Sequence, residues 1–80
     1  MREAFYNMDK NLRAEKLKMW TENLKKLEDS LSAVMLKKGA AAQEGDLSEN
    51  AAYTMAIEDS ETIRVQINEV KKIIADLEKS

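Results

Sequence analysis

The 80-residue sequence has no cysteine, no histidine and no proline, and only 5% of it is aromatic. Without Cys or His there is no thiol nucleophile, no imidazole base, no disulfide and no structural zinc site, so any chemistry must come from carboxylates, hydroxyls or amines. A reducing compartment is the simplest setting for a chain that uses no cysteine. No apolar run approaches the roughly 20 residues of a membrane span. The opening Met1-Arg2-Glu3-Ala4-Phe5 also lacks the apolar stretch of a secretory signal. An intracellular, cytoplasmic protein with no membrane partner is expected. The net charge of −2 argues against a general nucleic-acid binder, which would be basic over a face.

What the sequence does have is helical rhythm. Hydrophobic residues make up 44% and charged residues 35%, the composition of one small helical domain. Leu17, Trp20, Leu24, Leu27, Leu31 and Val34 follow alternating steps of three and four, the seam of a coiled-coil helix. Tyr53, Ala56, Ser60, Ile63, Ile67, Val70, Ile74 and Leu77 keep the same rhythm. Both glycines, Gly39 and Gly45, fall between the two runs, and Lys38 is a polar seam position where the first stripe fades. The expected fold is therefore all-α: a long antiparallel two-helix coiled-coil hairpin, with helix one over about 9–42, a turn over about 43–47 and helix two over about 48–78. Helices of about 30 residues would be roughly 45 Å long at 1.5 Å per residue.

So short a chain buries little surface, which makes a partner the expectation. Met19, Met35, Leu36, Ile57, Val65 and Ile73 lie off the main stripe and widen it, and Phe5, Tyr6, Met8 and Leu12 precede it. Together they favour a further contact along this apolar flank, through a partner or a homo-oligomer. Trp20 lies on the seam and reads as core rather than as a base-stacking platform.

The small net charge is a cancellation. Residues 1–38 carry nine Lys or Arg against six Asp or Glu, residues 39–61 carry six acids and no base, and residues 62–80 carry four bases against three acids. The hairpin thus has an acidic tip. Asp46 followed by Glu49 has the pattern of a capping box, with Asp46 as N-cap of helix two, and acids in a first helical turn also meet the positive end of its dipole. The functional alternative is that Asp46 and Glu49 together bind a hard divalent cation, which takes oxygen ligands and often only one or two protein carboxylates. Two carboxylates are too few for a tight independent site, so another macromolecule would have to supply the remaining ligands. Glu58, Asp59 and Glu61 read as a solvated face, and Ser48 has no base partner.

The stretch Gly45-Asp46-Leu47-Ser48-Glu49-Asn50-Ala51-Ala52-Tyr53 resembles the tip motif of the Gre-type transcript cleavage factors of bacterial RNA polymerase, close to GD-L-x-EN-A-x-Y, and every fixed position of that pattern is present. The detailed resemblance covers residues 45–53, and the hairpin architecture extends it to roughly 9–78. It implies a coiled coil that enters the polymerase's secondary channel, where Asp46 and Glu49 help hold a magnesium ion, shared with RNA polymerase and not tightly bound by the chain alone. There they assist cleavage of backtracked RNA by the polymerase's own active centre. Gly45, Leu47, Asn50, Ala51 and Tyr53 would shape the tip, with Asn50 either hydrogen-bonding the turn or orienting a carboxylate. The protein would then not be an enzyme itself, and it would meet the RNA 3′ end only within the polymerase complex.

Two departures from the family pattern stand out. The family's C-terminal globular domain is expected to be absent, leaving either a single-domain relative or an isolated N-terminal domain. Family members also carry basic residues near the tip, where this sequence has Ala40, Ala41, Ala42 and Ile57. A channel-binding inhibitor without cleavage activity is therefore a second reading. A structural or dimerising hairpin, in which Asp46 and Glu49 are only a helix cap, is a third. An autonomous hydrolase has no His, no Cys and no Gly-rich phosphate loop to support it.

Overall fold

A computed structural model describes residues 9–45 and 50–79, which form two long helices and no strand. Helix α1 spans Lys10–Ala42 and α2 spans Ala51–Lys79, packed side by side as an antiparallel hairpin. The result is a rod of 56 × 20 × 13 Å. Residues 1–8, which include Phe5, Tyr6 and Met8, lie outside the described residues, as do residues 46–49 and 80.

Each helix end has an identifiable cause. Asp9 caps α1, its side chain accepting the Asn11 N–H at 2.7 Å while its carbonyl accepts the Arg13 N–H at 2.9 Å. With no proline in the chain, nothing interrupts the ladder of α1 for 33 residues. The helix closes through Gln43 N–H to Ala40 O at 3.2 Å and Glu44 N–H to Ala41 O at 3.1 Å. Gly45 follows at φ +124°, a conformation that strains any side chain-bearing residue. Helix α2 begins at Ala51, later than the start at about 48 read from the sequence. Its N-cap geometry belongs to Asn50, whose Oδ1 accepts the Tyr53 N–H at 3.1 Å and whose carbonyl accepts the Thr54 N–H at 3.1 Å.

The heptad seam is the core. On α1, Leu17, Trp20, Leu24, Leu27, Leu31 and Val34 are half-buried and Ala41 is buried. On α2, Ala56, Ser60, Ile67, Val70 and Leu77 are buried and Tyr53, Ile63 and Ile74 half-buried. The seam changes character along the rod. Away from the turn it is built from Leu, Trp, Ile and Val, while near the turn Ala41, Ala56 and Ser60 reach 5%, 5% and 4% exposure with side chains of one or two heavy atoms. Only a facing backbone close at hand can cover so small a side chain. Ser60 is satisfied there by donating its hydroxyl to Ile57 O at 2.7 Å.

The apolar residues off the seam divide by their place on the wheel. Ile57 and Ile73 flank the seam and are half-buried, whereas Met19, Met35, Leu36 and Val65 are exposed, Leu36 by 76%. The expected widening thus holds for two of these six, because the other four stand outside the reach of the facing helix. Leu12 and Met55 are exposed as well.

Candidate functional site

The site begins where α1 runs out. Gly45, at its left-handed φ, is the last described residue of the first segment, and Asn50 the first of the second. Asp46, Leu47, Ser48 and Glu49 lie between them, outside the described residues. Of the candidate tip residues that are described, Gly45 and Ala51 are exposed, and Asn50 and Tyr53 are half-buried.

Asn50 binds both helices. Its Nδ2 donates to the Ala41 carbonyl at 2.7 Å, and its Oδ1 accepts from the Tyr53 amide at 3.1 Å. One partner is an acceptor and the other a donor, which fixes the orientation of the amide. Of the two roles the sequence left open for Asn50, the observed bonds are those of a residue tying the turn. The Ala41 carbonyl was not among the residues singled out from the sequence. No local signal marks it, since the contact spans nine positions and exists only once the hairpin closes. The cap itself was foreshadowed by an Asn directly before Ala-Ala-Tyr, which the neighbouring Asp-x-x-Glu pattern outweighed.

Lys38 occupies its seam position half-buried, with Nζ 5.9 Å from the centroid of the Tyr53 ring. The cation is thereby given a π face in place of an apolar neighbour. On one flank, Ala40, Ala41, Ala52, Met55 and Ala56 line an open groove of about 380 Å³, with Lys37, Glu44 and Asp59 also on its walls. Trp20 lies with Leu27, Val70 and Ile73 beside a second groove, on the seam where it was expected.

The electrostatics follow the sequence. No Lys or Arg occurs from residue 39 to 63, whereas Glu44, Asp46 and Glu49 cluster around the turn in the chain. The available donors are carboxylate oxygens, the ligand type of a hard cation such as magnesium, and no nitrogen or sulfur ligand competes. Among the described residues no group of three or more His, Cys, Asp or Glu converges as a ready-made metal site. No helix among the described residues is long and apolar enough to cross a membrane.

Over residues 11–78 the chain matches the protein family described as transcription elongation factor, N-terminal. It is 38% identical to transcription elongation factor GreA of Lachnoclostridium phytofermentans, in an alignment covering 81% of this chain and 46% of that protein. The chain thus spans about half the length of the curated relative it matches. No solved structure gives a significant match.

Proposed function

Because this chain belongs to the Gre family of transcription elongation factors, matched through their N-terminal domain, we propose that it inserts its acidic hairpin end into the secondary channel of RNA polymerase and stimulates cleavage of backtracked RNA there. The observation that carries the reading is position. In the chain, the Gly45–Tyr53 motif joins the end of α1 to the start of α2, and its described members Gly45, Asn50, Ala51 and Tyr53 stand at one end of a 56 Å rod. Asn50 adds support. Its side chain supplies the N-cap of α2, the role that the sequence pattern offered to Asp46.

In this reading the protein is not an enzyme but lends two carboxylates to one. Magnesium, when bound between factor and polymerase, supplies Lewis-acid activation of water and neutralises phosphate charge. Asp46 and Glu49 contribute oxygen donors to that shared site, and Gly45, at φ +124°, turns the backbone after the end of α1. The long seam keeps the rod stiff enough to hold them there.

The decisive experiment adds the purified protein to stalled, backtracked elongation complexes with magnesium. Cleavage should accelerate, and Asp46→Asn or Glu49→Gln should remove at least about tenfold of the stimulation while helix content stays unchanged. A protein that neither binds polymerase nor changes cleavage would sink the reading. The absence of Lys and Arg over residues 39–63 favours a second reading, since beyond Lys37 and Lys38 this part of the chain offers no cation to engage RNA phosphates. The protein would then occupy the channel and inhibit, and the same assay would show binding with slowed transcription and no cleavage.

A further inference from the structure

The last turn of α1 leaves carbonyls without amide partners, and the first turn of α2 leaves amides without carbonyl partners. One side chain serves both ends. Asn50 Oδ1 takes the Tyr53 N–H at 3.1 Å, and Asn50 Nδ2 gives its proton to Ala41 O at 2.7 Å. That oxygen also accepts the Glu44 N–H at 3.1 Å, so both of its lone pairs are engaged.

We propose that Asn50 is a positioning residue whose bond to the Ala41 carbonyl, and not its cap on α2, sets the separation of the two helix ends and so of Gly45 and Asn50, the residues that bracket 46–49 in the chain. The functional consequence rests on the reading of Asp46 and Glu49 as the acting carboxylates. Asparagine is the side chain that fits. Aspartate has the acceptor but no donor, and it would set a carboxylate against a carbonyl. Serine caps α2 but is too short to reach Ala41, and glutamine moves the amide by a methylene. The Lys38 ammonium, 5.9 Å from the Tyr53 ring, is too long and soft a contact to fix the same spacing.

The two arms of Asn50 can be separated by substitution. Asn50→Ser and Asn50→Asp both keep an N-cap acceptor and both lose the donor to Ala41. Because the chain contains no cysteine, Gly39→Cys and Ala52→Cys place two spin labels on exposed helical positions, one on each helix. The parent should give one narrow distance between the labels. Both Asn50 variants should broaden and lengthen it while helix content stays close to the parent's. In cleavage assays at saturating factor the maximal rate should fall about tenfold or more, with the half-saturating concentration changed by less than about twofold. A narrow, unshifted distance in both variants overturns the proposal, and so does a parental maximal rate alongside a broadened distance. Should Asn50→Ser fail to fold, Asn50→Asp decides, since Asp is an equally good cap. If the parent itself stimulates no cleavage, the functional reading fails while the label distances still decide whether Asn50 holds the ends together.

Discussion

Lys38 stands where a coiled coil ordinarily places an apolar side chain, and two effects compete over it. The ammonium near Tyr53 is worth about 0.5–1 kcal/mol at a partly exposed site. A leucine at the same half-buried position would gain part of the roughly 1.5–3 kcal/mol of a fully buried side chain. Burial should win, so Lys38→Leu is expected to raise stability by about 1 kcal/mol, read as a higher urea midpoint at an unchanged slope. An unchanged or lower midpoint would mean that Lys38 and Tyr53 are coupled more strongly than an exposed cation–π pair. At this scale the sequence was partly legible. Lys38 and Ser60 could be read as polar seam positions because the heptad counts through them, but their solutions could not. Ser60 turns its hydroxyl back on Ile57 O, Lys38 finds a ring, and Asn50 bonds a carbonyl nine residues earlier. Each of these depends on neighbours that folding supplies.

Helices were legible where period alone determines them and less so where capping chemistry does. The two seams came through because each side chain's burial follows from its phase on the wheel, and that phase is fixed by counting. The start of α2 lies later than read because Asp46 and Asn50, four residues apart, are both N-cap residue types, and Asn50 accepts the Tyr53 N–H that marks the cap. Burial of Ala41, Ala56 and Ser60 points to close approach of α1 and α2 near the turn. Ala56→Leu should therefore force the helices apart and cost about 1–3 kcal/mol, whereas Leu36→Glu on the exposed face should stay within about 0.5 kcal/mol. Thermal melts of the two variants would separate them. Equal melting temperatures would show that the helices near the turn have room to spare.

The whole molecule joins length to charge distribution. A net charge of −2 conceals an acidic stretch, residues 39–61, in which all the charged side chains are negative. That stretch spans the turn of a 56 Å rod whose two arms are otherwise mixed in charge. If the rod serves to deliver those acids to a fixed depth, its length matters as much as its end. The heptad repeat allows length to be changed without changing the seam. Duplicating residues 24–30 in α1 and residues 64–70 in α2 inserts one heptad in each arm, in stretches that face each other where Leu27 lies with Gln66 and Val70. The insertion preserves the phase of every seam residue and lengthens the rod by about 10 Å. It also adds Leu24, Leu27, Ile67 and Val70 equivalents to the core, so the melting temperature should equal or exceed that of the original. Stimulation of transcript cleavage should nevertheless fall to background, because the acids then sit about two helical turns away from where they act. A lengthened rod that melts higher and still stimulates cleavage at the original rate would show that reach is not what the hairpin provides.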